Sequence, residues 1–418
     1  MPMHEQLNVI VVGCGEPKKS MGWFHITQLM TDPDVQLAAI VEPWCAKSRW
    51  SHPRLVLRLT LASTPCFRYL GAGKAAPGAD AFEDFRADVA STHPKCQFVG
   101  TVAELPQLSP AAPVLALIAG RTADAPRFFE ECLAKGVSQI YLEKPGADSA
   151  DKLEALRKKA ADVGVPVLVG YNKNVAEYTR EALTALARRR ASDDTHAPLV
   201  TLEHCNAFSP GRELVDFLSG PGAEGMLHNM GCHELALAAT LFGVTPARVA
   251  SLTLHSEASE IVPLADGKAD WSRVSFTLAL SPTDAETPAG AAPTALKFAF
   301  DRCGGNFSCI HLGEAAASES FRLPSAEHQA WVDAEAEKDP LIRPYFLQQA
   351  PDYRTLKAVF VQHIRAGKTG TPPAVVDIDG AVAALRLADM LRPALLQCWE
   401  KGAPWTWHPP SPSPPAAA

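Results

Sequence analysis

The feature that most constrains this chain is a strict alternation of short apolar strands with helical stretches over residues 8–170. Strands are expected at residues 8–12, 35–41, 97–99, 113–119, 139–142 and 165–170, and helices at residues 21–30, 81–91, 125–135 and 148–163. Alternation of this kind predicts a parallel sheet with right-handed crossovers. Because the strands are apolar almost throughout, helices should cover both faces of the sheet.

After about residue 174 the pattern changes to strands in which apolar and polar residues alternate. Strands are expected at residues 199–207, 248–255, 273–280, 295–301 and 308–312, with helices at residues 231–241 and 378–397 and a long hairpin loop at residues 284–293. This pattern is typical of an antiparallel sheet with one packed face. The fold class is therefore α/β, with a first domain over residues 1–174 and a second α/β domain, with a large, mostly antiparallel sheet, over residues 175–404. The Pro- and Ala-rich residues 405–418 are predicted to be a disordered tail.

Composition excludes several other classes of protein. The 418 residues exceed one ordinary domain, and 47% hydrophobic with 20% charged residues indicates a globular chain. The net charge of −7 argues against nucleic acid as the main partner. No apolar run is long enough to span a bilayer, and no secretory signal is expected. The ten cysteines are scattered without a C-x-x-C pair, which favours free thiols in the cytoplasm and predicts no metal site.

Glycines follow the first strand and precede the first helix. Gly13 and Gly15 lie in the strand-to-helix turn, where glycine allows the backbone to approach a pyrophosphate bound at a helix N-terminus. The usual spacing places a third glycine near position 18, which is Lys18 here, and the next glycine is Gly22. The turn therefore predicts a dinucleotide site with a stretched glycine fingerprint.

An acidic residue, Glu42, ends the second strand. A carboxylate at this position can accept hydrogen bonds from the adenosine ribose and repels a 2′-phosphate, which favours NAD over NADP. Lys18, Lys19 and Arg49 argue the other way, because cations can pair with a 2′-phosphate. Residues 44–79 form a long segment with many basic and no acidic residues between positions 47 and 74. This segment is either a surface flap or a basic cover near the adenosine.

Lys144 closes a strand in the sequence Glu143-Lys144-Pro145, at the sheet edge where ligands of open parallel sheets bind. At this point the chain resembles the glucose–fructose oxidoreductase and inositol dehydrogenase family (Gfo/Idh/MocA), over nearly its whole length. The matching motifs are Glu143-Lys144-Pro145, the glycines 13 and 15 followed by Met21-Gly22-x-x-His25 with four extra residues inserted, Gly170-Tyr171-Asn172, and the segment 225–233 with Asn229, Gly231 and His233.

The resemblance implies an N-terminal Rossmann domain that binds NAD or NADP, and a second domain whose sheet often forms the interface of a homodimer or homotetramer. It implies a sugar, polyol or related hydroxy or carbonyl compound as substrate. The cofactor-binding residues it implies are Gly13, Gly15, Met21, Gly22, Glu42, Gly120, Arg121, Glu143 and Lys144. The substrate-binding residues it implies are Tyr171, Asn172, Asn229 and His233.

Hydride transfer from an alcohol needs a donor to the developing alkoxide and a base for the hydroxyl proton. Lys144 can supply the donor, and His233 can act as the base. The family motif has Asp where this chain has Asn229, which can bond a hydroxyl but cannot accept a proton. Asn229 therefore leaves open a second interpretation, a dinucleotide-binding sensor or regulator without catalysis. A reductase of imines or enediones would differ only in its substrate.

The other histidines and Cys232 have simpler interpretations. His228 and His233 are five residues apart and do not share a helix face, so a metal site with Cys232 is not expected. His204 and Cys205 alternate in a strand and are expected to pack there.

Overall fold

The computed structural model describes residues 6–43, 79–109, 112–191, 199–220, 223–264, 268–283, 286–287, 290–291, 293–313, 318–368, 370–402 and 405–409. The chain divides into two compact units, which are described separately below. The first unit comprises Met1–Ala147, Lys152–Gly170 and Val332–Pro372, and the second comprises Asp148–Asp151, Tyr171–Trp331 and Pro373–Ala418. The predicted basic segment lies outside the described residues, except for its last residue, Ala79.

The first unit is built on a parallel sheet in the order β6-β5-β4-β1-β2-β3. Its strands are β1 (Leu7–Val12), β2 (Val35–Val41), β3 (Gln97–Val99), β4 (Val114–Ile118), β5 (Gln139–Leu142) and β6 (Val167–Val169). The helices between them are α1 (Met21–Leu29), α2 (Ala79–Thr92), α3 (Ala125–Lys135) and α4 (Ala150–Asp162). These elements confirm the predicted alternation, with bounds that are either identical to the predicted ones or differ from them by at most two residues.

Strand order in this sheet reverses at β1. The strand pairs in parallel with β2 on one side and with β4 on the other, so the turns that follow β1 and β4 leave the sheet toward opposite faces. In open α/β sheets, ligands bind at the carboxyl ends of the strands at such a reversal. The residues that follow β1 and β4 are therefore the first place to look for a ligand site.

A late segment of the chain completes the first unit. The predicted domain limits assign residues 332–372 to the second domain, but this segment belongs to the first unit. It contains the end of α8 (Ala326–Lys338) and all of α9 (Pro344–Arg365), which packs against α1 and β1. Phe346 of α9 stacks on Phe24 of α1 with ring centroids 5.0 Å apart.

The second unit contains a large mixed sheet in the order β15-β14-β7-β13-β10-β8-β17, with β9 paired to β10. Its strands are β7 (Val200–Cys205), β8 (Val249–Leu254), β9 (Glu260–Pro263), β10 (Ala269–Leu280), β13 (Ala295–Asp301), β14 (Phe307–Leu312), β15 (Glu319–Leu323) and β17 (Thr406–Trp407). Every pair in this sheet is antiparallel except β7 with β13. The predicted mostly antiparallel sheet is confirmed.

The helices of the second unit are α5 (Glu177–Ala191), α6 (Arg212–Leu218), α7 (Cys232–Leu241) and α10 (Ile378–Lys401), the last preceded by the two-residue strand β16 (Val376–Asp377). The helices α7 and α10 were predicted, whereas α5 and α6 were not. The predicted hairpin loop contains two short paired strands, β11 (Glu286–Thr287) and β12 (Gly290–Ala291). The prediction of a disordered tail is wrong at its start, because β17 pairs with β8 through backbone hydrogen bonds.

The two faces of this sheet differ in polarity. Leu278 and Leu296 belong to the buried face, whereas Thr277, Lys297 and Thr201 form a row of paired residues on the other face. This row of the outward face is thus polar. An oligomer interface would be expected to present apolar side chains instead. Among the described helices, none combines the length and the hydropathy that a bilayer crossing requires.

Candidate functional site

The turn after β1 has a backbone that only glycine adopts readily. Gly13 has φ +88° and Gly15 has φ +68°, both in the left-handed region. A Cβ at Gly13 would lie 2.7 Å from the backbone of Gly120, the residue that follows β4 by two positions. The two predicted cofactor residues Gly13 and Gly120 therefore meet at the reversal of strand order.

Gly22 lies at the close contact between helix and turn that the third glycine of the usual fingerprint makes. A Cβ at this position would lie 1.9 Å from the carbonyl oxygen of Gly13, so any side chain would force α1 away from the turn. The extra residues form a closed loop, because Ser20 Oγ accepts a hydrogen bond from the Glu16 amide at 2.8 Å. Met21 begins α1 and is half-buried. The insertion thus lengthens the turn while keeping the close approach of helix and turn.

Glu42 is buried at the end of β2, with 4% of its surface exposed. Its Oε2 accepts a hydrogen bond from the Gly15 amide at 2.7 Å, which ties the second strand to the glycine turn. The nearby lysines that argued against NAD both contact carboxylates. Lys18 Nζ lies 2.6 Å from Asp339, and Lys19 Nζ lies 2.6 Å from Glu16.

Behind Lys144 lies a buried polar chain of four residues from three parts of the sequence. Lys357 Nζ lies 2.9 Å from His25 Nδ1, and His25 Nε2 lies 2.9 Å from Glu143 Oε1. The Tyr141 hydroxyl donates to the same Glu143 oxygen at 2.7 Å. Since the Glu143 carboxylate can only accept, the proton of neutral His25 is on Nε2, which donates to Glu143, and Nδ1 accepts from Lys357. Glu143 is thereby fixed next to Lys144.

Burial sets the charges along this chain. It lowers the pKa of Lys357 to about 7, although the attraction of Glu143 opposes the change. Burial, with the charge of Lys357, lowers the pKa of His25 to about 4. Burial alone would raise the pKa of Glu143, but the bonds from His25 and Tyr141 outweigh it and hold that pKa below its usual value. At neutral pH, Glu143 is thus an anion bonded to a neutral imidazole.

The sequence analysis did not find Lys357. A signal for it exists in α9, where the buried residues Tyr353, Leu356, Phe360 and Ile364 recur at helical spacing and Lys357 lies on the same stripe. A lysine in such an apolar stripe is rarely buried unless it has a partner. Its partners, however, are far away in the sequence, so the stripe alone could not name them.

In the second unit, His233 lies in the first turn of α7 and is 4% exposed. Its ring packs edge-on against Tyr171 at 5.7 Å and against His204 at 6.2 Å. Tyr171 and the adjacent Asn172 are both fully buried. The structure thus brings Tyr171 and His233, two of the predicted substrate residues, into contact within the second unit.

Asn229 lies in a π-helical turn, Met226–Met230, directly before α7 and is half-buried. The turn is wider than an α-helix, since the Gly231 amide bonds to the Met226 carbonyl at 2.8 Å. Turns of this kind are frequent at functional sites. His228, in the same turn, bonds through Nε2 to Asp389 of α10 at 2.8 Å. His228 and His233 therefore have different neighbours, as their spacing predicted.

A buried ion pair stabilises the region beneath His233. Lys173 Nζ lies 2.6 Å from Glu234 Oε1, and both side chains are almost completely buried. The other Glu234 oxygen lies 3.1 Å from His204 Nδ1. Burial would raise the pKa of Glu234, but Lys173 and His204 outweigh that effect and lower it. The sequence analysis missed this role of Glu234, although the residue immediately follows His233.

The remaining predicted residues, Arg121 and Lys144, lie where the carboxyl ends of β4 and β5 place them. Arg121 follows Gly120 and is exposed, and Lys144 follows β5 and is half-buried. Their roles, like those of the other predicted site residues, stay predictions.

Comparison with known proteins identifies the fold. No family model matches the sequence, and no curated protein matches it at a significant level. Solved structures of inositol dehydrogenases do match. The myo-inositol dehydrogenase of Corynebacterium glutamicum is 17% identical, with 96% of this chain and 98% of that chain covered and a TM-score of 0.58.

Two enzymes of Lactobacillus casei match over similar lengths. The scyllo-inositol dehydrogenase with bound NAD(H) and scyllo-inositol is 11% identical, covers 95% of this chain and 98% of its own, and has a TM-score of 0.61. The myo-inositol dehydrogenase in complex with NAD(H) and myo-inositol is 13% identical, covers 98% of each chain, and has a TM-score of 0.56. At such identities the likeness shows the fold, a Rossmann domain joined to a second α/β domain, and confirms at that level the resemblance that the motifs indicated.

Proposed function

From this shared dehydrogenase fold, we propose that the chain is a nicotinamide-dependent oxidoreductase. It transfers a hydride between NAD, or less favourably NADP, and a sugar, polyol or related hydroxy or carbonyl compound. The observation that carries the proposal is the glycine turn at the reversal of strand order. A Cβ at Gly13, Gly120 or Gly22 would lie 1.9–2.8 Å from neighbouring protein atoms, so these glycines allow the turns after β1 and β4 and the start of α1 to pack closely at the point where open α/β sheets bind ligands.

The residues around this turn suit a dinucleotide. Gly13 and Gly15 let the backbone approach a pyrophosphate at the N-terminus of α1, which begins at Met21. Glu42 is placed to accept hydrogen bonds from the adenosine ribose. Gly120 and Arg121 follow the neighbouring strand and would lie toward the nicotinamide. When bound, the cofactor supplies the hydride acceptor or donor.

The substrate chemistry is assigned to residues of the three remaining motifs. Lys144, positioned by the buried Glu143, donates to the substrate oxygen and stabilises its developing negative charge. His233 accepts the hydroxyl proton, with Tyr171 packed against its ring. Asn229, Tyr171 and Asn172 form hydrogen bonds with substrate hydroxyls. Lys144 and His233 each have an acid as their sequence neighbour. Glu143, which bonds to His25, precedes Lys144, and Glu234, which bonds to Lys173 and His204, follows His233.

Asn229 supports one alternative function. With a neutral amide where related sequences carry an acid, the chain could bind a dinucleotide as a sensor without turning it over. A screen of sugars, inositols and aldehydes with both cofactors, followed by the absorbance of the reduced nicotinamide, separates the two functions. Turnover of any of these substrates supports the oxidoreductase, whereas tight cofactor binding without turnover supports the sensor.

The proposal includes a cytoplasmic homodimer or homotetramer. The cysteines of the described residues are free, which suits a reducing compartment. Light scattering at micromolar concentration checks the assembly, and a monomer would contradict it.

Cofactor preference depends on the charge of Glu42. We expect the protein to bind NADH more tightly than NADPH, and Glu42→Gln to shift the ratio of the two affinities toward NADPH by about tenfold, the equivalent of about 1.4 kcal/mol. Glutamine keeps an oxygen for the Gly15 amide but removes the repulsion of a 2′-phosphate. Fluorescence titration with both reduced cofactors measures the ratio.

Glu104→Gln is the matched control, because Glu104 also accepts a hydrogen bond from a glycine amide, that of Gly100, at 3.2 Å. This variant should keep the wild-type ratio. Tighter binding of NADPH by the wild-type protein would contradict the role given to Glu42.

Lys357 should make stability depend on pH. Its pKa is about 7 in the folded protein and 10.5 when unfolded, so between these values the unfolded chain binds more protons and stability rises with pH. Each unit of this difference corresponds to about 1.4 kcal/mol. We expect Lys357→Met to flatten the rise of the melting temperature between about pH 7 and 10, measured by thermal unfolding. Lys158→Met, which removes an exposed lysine of α4, should leave the slope unchanged.

A further inference from the structure

Residues on neighbouring strands of the second unit's sheet form a cluster of a thiol, an imidazole and a carboxylate. Cys309 and His311 lie two residues apart on β14, so their side chains share a face. Glu203 of β7 is the register partner of Cys309. The cluster lies on the outward, mostly polar face of the sheet, and none of its members belongs to the residues proposed above for the oxidoreductase.

The potential ligand atoms are close together. His311 Nε2 lies 3.0 Å from Glu203 Oε2, and Cys309 Sγ lies 3.8 Å from His311 Nδ1. One atom from each of the three residues lies within 4.8 Å of the other two. Two donors bound to one tetrahedral zinc at ~2.0–2.3 Å are roughly 3.3–3.8 Å apart, so small side-chain rotations suffice to bind a common ion.

A second thiol lies next to this cluster. Cys205 is on β7, two residues after Glu203 and on the same face, and its Sγ lies 3.9 Å from Glu203 Oε1. Cys205 and Cys309 are buried to 5% and 4% exposure, whereas the side chains of Glu203 and His311 are 28% exposed. Solvent therefore reaches the cluster from the side of the charged groups, and the sulfur atoms lie at its base.

We propose that Glu203, Cys309 and His311 bind a divalent cation of the zinc class, with Cys205 near enough to supply a fourth ligand. Sulfur and imidazole donors favour zinc over magnesium and calcium, which take oxygen ligands. The ring of His311 lies between the other two ligands, with Nε2 3.0 Å from Glu203 Oε2 and Nδ1 3.8 Å from Cys309 Sγ, and Nε2 is the nitrogen assigned to the ion. His311 Nδ1 also lies 2.7 Å from Ser320 Oγ, and a hydrogen bond there holds the ring in place, as is usual for metal-binding histidines.

Binding requires that each thiol ligand becomes a thiolate, so a proton is released to solvent for each cysteine that binds. The ion would link side chains of β7 and β14, two strands that are already joined by backbone hydrogen bonds. The site therefore acts as a cross-link of the sheet, and it is independent of cofactor binding in the first unit.

The alternative to a metal site is a His311–Glu203 ion pair, for which a different result of metal titration is expected. An ion pair gives no stoichiometric metal binding, and removing Cys309 has no effect on it. A cation site gives one metal per chain and depends on the thiol and the imidazole alike. The two are separated by titrating the reduced, chelator-treated protein with Co²⁺ and Zn²⁺.

We expect one Co²⁺ per chain, displaced by Zn²⁺, with sulfur-to-cobalt charge-transfer absorption. Cys309→Ser should abolish that absorption or shift it, and Cys309→Ser and His311→Gln should each weaken Zn²⁺ binding by at least about tenfold. The matched controls are Cys96→Ser, a half-buried thiol of the first unit, and His255→Gln, whose Nε2 bonds to Thr277 at 2.9 Å on the same sheet. Both controls should bind zinc as the wild type does.

Absence of stoichiometric binding at micromolar metal would overturn the proposal, and so would binding that survives both Cys309→Ser and His311→Gln. Circular dichroism shows whether each variant is folded. An unfolded Cys309→Ser chain would fail to bind metal whether or not Cys309 is a ligand. In that case the folded variants Cys309→Ala and His311→Gln provide the test.

Discussion

Replacing Lys144 with alanine is expected to lower turnover by about two to four powers of ten while leaving the affinity for NADH nearly unchanged. Lys144 follows β5, and its neighbour Glu143 is fixed by His25 and Tyr141. In the proposed reaction, its ammonium donates a hydrogen bond to an oxygen that becomes negatively charged. Steady-state rates with the best substrate, together with NADH titration, measure both quantities.

Two further variants separate chemistry from folding. Lys144→Arg keeps the charge but changes the donor geometry, and should retain part of the lost rate. Lys159→Ala removes a half-exposed lysine of α4 that pairs with Glu130, and should turn over as the wild type does. If Lys144→Ala reaches the wild-type rate, Lys144 has no part in the reaction.

Replacing Gly22 with alanine is expected to weaken NADH binding by roughly tenfold to a hundredfold, the equivalent of about 1–3 kcal/mol of overpacking. The added methyl group would lie 1.9 Å from the Gly13 carbonyl oxygen, which is backbone and cannot rotate away. The first turn of α1 must then shift, and with it the backbone amides that are proposed to bind a pyrophosphate. Fluorescence titration measures the affinity, and thermal unfolding measures the accompanying loss of stability.

Gly164→Ala is the matched control in the same unit. Gly164 has φ +69° but no atom within 4 Å of an added Cβ. Alanine there should cost about 1–2 kcal/mol of stability through backbone strain and leave NADH binding intact. A folded Gly22→Ala protein with wild-type affinity would show that the glycine turn does not bind the cofactor.

The parallel half of the fold was predictable because its strands are buried on both faces. Such strands read as uninterrupted apolar runs, and β2, β3 and β5 were predicted with the bounds they have in the structure. The third glycine was identified only as a gap in the usual spacing. The structure shows that Gly22 is needed for the close approach of α1 to the Gly13 carbonyl oxygen. Such a distance cannot be obtained from the spacing of glycines in the sequence.

Residues that act through distant partners could not be predicted in the same way. His25 was identified from the sequence only as the last residue of the glycine motif, yet it bonds to Glu143 and Lys357. The cluster of Glu203 and His311 likewise depends on the register of two strands, which the sequence pattern does not specify. β17 was missed because only two residues of a Pro-rich segment pair with β8.

The discontinuity of the first unit has a consequence for synthesis on the ribosome. Residues 7–169 supply the strands β1 to β6, but Phe346 and Lys357, which contact Phe24 and His25, arrive only after the whole second-unit sheet except β17 has been made. Until then the emerging Rossmann half carries an uncovered aromatic surface and an anion, Glu143, without its nearby lysine. Such partly folded chains are the species that chaperones bind during translation. The last step in building the first unit is therefore the docking of α9 on α1 and β1, and a ribosomal pause before residue 365 would prolong the stage in which this aromatic surface is uncovered.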